Sequence, residues 1–339
     1  MQIRTVTDTD QPAWDNYVLN HPDGLAYHQF AWKKAVKEAY GFSDCYLLAE
    51  EHDAIVGVLP LIDFKIPFLG RSLVSLPYCD IGGCLADSTE VQDALLNRAL
   101  EIGQQKKAGK IELRQTSVAE EITSSGKVRM VLELPDSSEA LLAGFKAKLR
   151  SQVKKPIRDG LTAQLGGLEL VPEFYQVFCE NMRDLGSPVH SRKWIEAVVK
   201  HYGDRARVGL VFTAEGIPAA AGIILLANKT VSIPWASSLL KYNNYNPNML
   251  LYWTFLSFAA DNSYRYFDFG RSTPGEGTYK FKKQWGAEPV PLEWVDLLNP
   301  SPVSVSRGDF RAQVEKVWQK LPVSIATMAG SRLRRYIDL

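Results

Sequence analysis

A stretch in the last third of the chain concentrates the side chains best suited to group transfer. Phe267-Asp268-Phe269-Gly270-Arg271-Ser272 reads as an apolar strand that ends in a charge. Thr273-Pro274-Gly275-Glu276-Gly277 follows, then Thr278-Tyr279-Lys280-Phe281-Lys282-Lys283-Gln284-Trp285-Gly286-Ala287. Gly270, Gly275, Gly277 and Pro274 predict an irregular loop leaving a buried strand, a usual place for binding and catalysis. Arg271, Tyr279, Lys280, Lys282 and Lys283 supply donors and cations suited to phosphate or to a developing oxyanion. The same lysines also fit a strand with one solvated face, which would leave Lys280 and Lys283 without a chemical role.

Other chemistries are poorly represented. Five histidines and four cysteines are scattered without CxxC or HExxH spacing, which argues against a metal site or a disulfide framework. Free thiols fit a reducing compartment. No Ser-His-Asp or Cys-His signature appears, so a covalent acyl-enzyme is not expected. Lys and Arg number 39 against 38 Asp and Glu, a net charge of +1, which excludes a general polyanion binder and argues against DNA. Lys146, Lys148, Arg150, Lys154, Lys155 and Arg158 nevertheless form an acid-free basic cluster. It could track an RNA backbone such as tRNA or a lipid-linked pyrophosphate, or be a solvated helix face. The N-terminus lacks the apolar core of a signal peptide. The apolar runs at 217–227 and 249–260 are short for a bilayer core of ~30 Å. The expectation is a cytoplasmic chain, in which basic Arg332-Leu333-Arg334-Arg335-Tyr336 either touches the inner face of the membrane or simply frays.

The elements that must position these groups come in two copies. Tyr46–Glu51 and Ile55–Asp63 predict one hairpin; Val208–Thr213 and Pro218–Ala227 predict another. Glu50 precedes Gly57 by the same seven residues that separate Glu215 from Gly222. Val74-Ser75-Leu76-Pro77-Tyr78 has a near copy in Val231-Ser232-Ile233-Pro234-Trp235. A helix follows in each half, at 89–107 and 248–262, and then a strand, where Glu112 matches Asp268. Further helices are expected at 32–39, 139–158, 171–184, 192–201 and 309–321. Strands mixed with helices argue for mixed twisted sheets covered by helices, an α/β (α+β) fold. The expected division is 1–138, 139–299 and a helical tail, 300–339.

The Phe267–Ser272 and Gly277–Ala287 segments, with the length and the repeat, resemble the Fem family of aminoacyl transferases that build peptidoglycan cross-bridges. Leu76-Pro77-Tyr78-Cys79-Asp80-Ile81-Gly82-Gly83-Cys84-Leu85-Ala86-Asp87 is similar to a segment of the FemAB-related group found with exosortase/PEP-CTERM and exopolysaccharide loci. The resemblance covers about residues 25–297 and implies two tandem GNAT-like acyltransferase domains without the helical arm of some Fem proteins. It implies aminoacyl or acyl transfer to an amine or hydroxyl of a cell-envelope, peptidoglycan or exopolysaccharide precursor carried on a nucleotide or a lipid. A sugar acetyltransferase using acyl-CoA, or a binding module without catalysis, are the alternatives.

Acyl transfer needs a donor groove, oxyanion stabilisation, a route for the acceptor proton and an acceptor anchor. By resemblance, Lys282 contacts donor phosphates or the developing charge, with Arg271 beside it, and truncating either is expected to cut transfer strongly while leaving the fold intact. Asp268, Ser272, Tyr279, Lys280 and Trp285 belong to the same motif. Asp87 matches a proposed proton acceptor, although an arginine expected nearby is replaced by Ile81. Asp87 also begins Asp87-Ser88-Thr89-Glu90, which reads as a capping box. Tyr78 and Asp80 beside it either orient substrate or close the turn. Lys33 and Lys37 follow Gln29 and Trp32 in a pattern linked to a nucleotide-sugar acceptor, and also fit a solvated helix face. Trp235, Tyr242, Asn246 and Asn248 line the strand-to-helix transition where a GNAT domain would hold a pyrophosphate. No glycine-rich coenzyme A loop stands there, which favours an aminoacyl-tRNA donor over acyl-CoA, neither tightly bound.

Overall fold

A computed structural model describes residues 1–68, 70–116, 126–299 and 309–338, with side chains from 314 onward in the last segment. Two units emerge: Met1–Arg129 with Val290–Val305 and Asp338–Leu339, and Met130–Pro289 with Ser306–Ile337. The strands in chain order are β1 (Gln2–Thr5), β2 (Ser43–Asp44), β3 (Leu47–Glu51), β4 (Ala54–Leu59), β5 (Ile62–Ile66), β6 (Gly70–Ser75), β7 (Leu85–Ala86) and β8 (Lys110–Thr116). They continue with β9 (Val128–Glu133), β10 (Thr162–Gly166), β11 (Ala206–Phe212), β12 (Pro218–Ala227), β13 (Thr230–Ser238), β14 (Tyr266–Ser272) and β15 (Glu288–Asp296).

In the first unit β3 and β4 form the expected hairpin, but the partner strand is not continuous through Asp63. It breaks at Pro60-Leu61 into β4 and β5. Proline has no N–H for the ladder, so the chain leaves one sheet and enters another. The sheets run β1-β3-β4-β7 and β15-β8-β6-β5-β2, and β6 closes on β8 in parallel. The connection between them is the helix Thr89–Gln105, whose Val91, Leu95, Ala99 and Ile102 repeat at helical spacing and enter the core. Gly57 lets this helix approach: a Cβ there would sit 2.5 Å from Val91 Cγ1.

The second unit repeats the plan without the break. Its order is β10-β11-β12-β13-β14-β9, and β13 pairs β14 in parallel across the helix Pro247–Asp261. Gly209 on β11 and Gly222 on β12 are cross-strand partners, and together they seat the Phe255 ring of that helix. A Cβ on Gly209 would meet Phe255 Cζ at 2.5 Å, and one on Gly222 would meet Cε2 at 2.7 Å. The matched Gly57 and Gly222 therefore do the same work: each keeps a strand flat enough for its connecting helix. The helix Pro247–Asp261 is apolar nearly all round because both of its sides are covered.

The single helix expected over 139–158 is two, Ser138–Gly144 and Ala147–Arg158. Phe145 takes extended backbone between them, so that its ring lies edge-on to Trp253 and Trp285. The tail likewise holds two helices, Asp309–Trp318 and Val323–Leu333.

Candidate active site

In the second unit β13 and β14 pair over only three positions, Thr230–Ser232 against Tyr266–Asp268. Beyond them β13 runs on to Ser238 and β14 to Ser272. The pairing of β12 with β13 shifts register across Ile233-Pro234, where Pro234 again removes a ladder donor. Two parallel strands that part toward their C-terminal ends, with a helix starting beside them, form the usual ligand crevice of an α/β sheet. Polar atoms without a hydrogen-bond partner stand along these strands, the buried hydroxyls of Ser232 in the paired stretch and of Ser238 and Ser272 at the two strand ends, and the Trp285 indole N–H that follows the next helix is a further one. Burial without a partner costs about 1–3 kcal/mol per group, so the hydroxyls at the two strand ends are positions that a polar ligand would satisfy.

Near its end β14 bends at Gly270, at φ 72°, and the loop after it turns on Gly275, at φ 82°. Asp268 is buried and its carboxylate accepts the Gly270 N–H at 2.9 Å, which fixes the first turn. Gly277–Gln284 is a helix rather than the alternating strand that the lysine pattern also allowed. The cause is aromatic packing at i and i+4: Phe281 and Trp285 both lie against Tyr252, at 5.0 and 6.3 Å.

That helix separates its cations. Lys282 is 8% exposed, and its ammonium donates to the carbonyls of Gly270 at 3.1 Å and Arg271 at 2.8 Å. It ties the helix to the end of β14, so the expectation that its truncation would spare the fold is replaced by a structural cost. Lys283 pairs with Glu288, Lys280 is exposed, and Tyr279 and Arg271 are half-buried.

Trp235 packs edge-on to Trp194 and His190 in a buried aromatic cluster. Burial drives the His190 pKa well down, so the ring is neutral. Sequence reasoning misses His190; its only signal is a polar residue just before an N-cap serine. Asn246 adopts left-handed backbone (φ 55°) as the N-cap of Pro247–Asp261, and Pro247 fills the first helical position. Asn248 is half-buried in that first turn, and Tyr242 lies half-buried under Lys241 in the turn Leu240–Tyr245. Lys155 of the basic helix donates to Asn244 O at 2.7 Å and pairs with Asp159, while Lys148, Lys154 and Arg158 are exposed.

The first unit holds the remaining candidates. Ser88, not Asp87, caps the helix: its hydroxyl accepts the Val91 N–H. Asp87 instead accepts the Tyr17 hydroxyl at 2.8 Å. Burial and that carboxylate raise the Tyr17 pKa, which keeps the phenol protonated as a donor. Tyr78 is buried with left-handed backbone (φ 67°), and the Asp80 carbonyl accepts the Trp294 indole N–H. Lys33 is buried over the Phe30 ring and paired with Asp8 and Asp44, whereas Lys37 is exposed. Arg114, which the pattern does not single out, is fully buried between Glu112, Asp338 and the Trp294 ring. Burial alone would raise the Glu112 pKa, but Arg114 and Lys110 hold it below the usual range.

Residues 145–283 match the acetyltransferase (GNAT) domain family. The likeness to that family lies in this region of the second unit. The match begins at Phe145, ends at Lys283, and so contains both parting strands and the loop after β14. No curated protein matches the sequence. Among solved structures the chain is similar to FemX, at 16% identity over 86% of this chain and 95% of that one, with a TM-score of 0.68. It is also similar to a C-terminal domain (DUF2156) assigned to a lysylphosphatidylglycerol synthetase from Agrobacterium fabrum, at 12% identity, 84% and 90% coverage and a TM-score of 0.55. A tandem GNAT protein of clavulanic acid biosynthesis is similar at 10% identity, 88% and 100% coverage and a TM-score of 0.52. At these identities the likeness is one of fold, and the fold is two tandem GNAT-like halves. Among the described residues no His, Cys, Asp and Glu group could hold a metal, and no helix is long and apolar enough to cross a membrane.

Proposed function

We propose that the chain transfers an aminoacyl or acyl group to an amine or hydroxyl of a cell-envelope or exopolysaccharide precursor, by direct attack in a ternary complex. The observation that carries this reading is the parting of β13 and β14 toward the unpartnered buried hydroxyls of Ser238 and Ser272, inside the segment that matches the acetyltransferase family. An extended donor arm laid between the strands would take up the free backbone groups and the serine hydroxyls. The helix N-terminus at Pro247–Met249 would face the donor's phosphates. The acceptor nitrogen or oxygen adds to the acyl carbon and gives up its proton. The oxyanion then collapses with cleavage of the acyl bond to the tRNA 3′ oxygen or the thiol sulfur, which leaves as a hydroxyl or thiol on taking up a proton. Arg271 is assigned to the developing charge, with Lys282 holding the corner that carries it. The first unit's own candidate is Asp87, kept in place by Tyr17 and assigned to an acceptor or its proton.

An aminoacyl donor is supported by the fold shared with the lysylphosphatidylglycerol synthetase domain and by the Fem-like motif at Phe267–Ala287. The second reading, an acyl-CoA donor, is supported by the family match and by likeness to the clavulanic acid tandem GNAT protein. Calorimetry separates them. Binding of a non-hydrolysable aminoacyl-tRNA analogue without coenzyme A binding is the expected result, and tight coenzyme A binding alone would overturn the aminoacyl reading.

A further inference from the structure

The last two helices of the second unit present apolar side chains to solvent. Val314, Val317, Ile325, Met328, Leu333 and Ile337 are all exposed, Val317 by 64% and Met328 by 55%. The opposite side of Val323–Leu333 is fastened down. A Cβ on Gly330 would meet Val189 N at 2.8 Å, and Ala326 is buried. The Leu321 carbonyl accepts from Arg183 at 3.1 Å. Ile325, Met328 and Arg332 recur at i, i+3 and i+7 on the side turned away from those contacts. Ile325 and Met328, with Arg332 below them, thus lie on the outer face of a helix already packed on its inner one.

Charge says what covers that face. From 314 to 337 the chain has five cations, Lys316, Lys320, Arg332, Arg334 and Arg335, against one acid, Glu315. Lys316, Lys320 and Arg332 are exposed, each within four residues of one of the exposed apolar side chains in the chain. On the supporting helix Val171–Asp184, Glu180 pairs with Lys241 and Asp184 with Arg183, so these acids are already taken. A second copy of this chain would set cations against cations across a two-fold axis. An anionic lipid surface meets both needs, since it accepts the apolar side chains into its acyl boundary and the cations at its headgroups.

We infer that the helices Asp309–Trp318 and Val323–Leu333 dock the protein onto an anionic membrane surface. This stands apart from the donor and acceptor of the transfer reaction and does not depend on them. The test is co-sedimentation of the full chain with phosphatidylcholine vesicles, with and without phosphatidylglycerol. Binding to the anionic vesicles that weakens with salt is expected. Each cation contributes about fivefold to partition, so the double variant Lys316→Glu/Lys320→Glu should lose about 25-fold or more. Ile325→Glu/Met328→Glu should lose binding with an unchanged melting temperature, because both side chains are exposed. Absence of binding, or equal binding to both vesicle types, overturns the inference. So does a concentration-dependent dimer that Ile325→Glu/Met328→Glu abolishes, which would give the face to a second copy.

Discussion

Replacing Lys282 with methionine keeps the buried aliphatic stem and removes only the ammonium. Two carbonyls, Gly270 O and Arg271 O, then lose a charged donor at 3.1 and 2.8 Å. Hydrogen bonds to charged groups contribute about 1.5–3 kcal/mol each, and relief of the lysine's own desolvation offsets part of that. A net loss of about 2 kcal/mol is expected, which lowers the melting temperature by about 4–8 °C for a unit of this size. Transfer should fall by more than the stability loss explains, because the corner that presents Arg271 is released. Thermal unfolding by circular dichroism and single-turnover transfer well below the melting temperature give the two readouts. An unchanged melting temperature would refute the tie between Lys282 and the end of β14. A lowered melting temperature with wild-type turnover would refute the claim that this corner belongs to the active site.

Arg114→Met leaves the Glu112 carboxylate buried beside Lys110 alone. Breaking one side of a buried pair costs about 3–5 kcal/mol, which urea unfolding should report as a lower midpoint with the same slope. Acid should also destabilise the protein through His28, whose Nδ1 accepts the Leu25 N–H and whose pKa burial lowers from 6.5 to about 4. The unfolded chain takes up this proton below pH 6.5 and the folded one does not until about pH 4, so stability is highest above pH 6.5 and declines as pH falls. The decline from this group reaches about 3 kcal/mol, and His28→Gln should flatten the melting temperature's pH profile between those limits.

The repeat is the most legible feature of the sequence, because it rests on patterns that local physics enforces. Gly57 and Gly222 stand at matching places because each connecting helix needs a strand without a Cβ beneath it. The helices expected at 171–184 and 192–201 form, the second extending to Tyr202. The features that escape a sequence reading arise in tertiary packing. Lys280 and Lys282 alternate as they would along a strand, but Tyr252, on the preceding helix, supplies the surface that winds Gly277–Gln284 into a helix. Lys33 and Lys37 look alike as helix-face lysines, yet one is buried between Asp8 and Asp44 and the other is exposed. Arg114 and His190 give no motif because Asp338 and Trp294 around the one, and Trp235 against the other, lie far away in the chain.

The parting strands of the second unit are proposed to hold an activated acyl donor while an envelope precursor attacks it. Mass spectrometry of lipid- or nucleotide-linked sugar acceptors, incubated with the full chain and either charged tRNA or acyl-CoA, reads this out without intermediaries. An acceptor heavier by one acyl or aminoacyl group, formed by the native protein and strongly reduced with Arg271→Ala, is the predicted result. No mass increase with any donor, or equal product from Arg271→Ala, would contradict it.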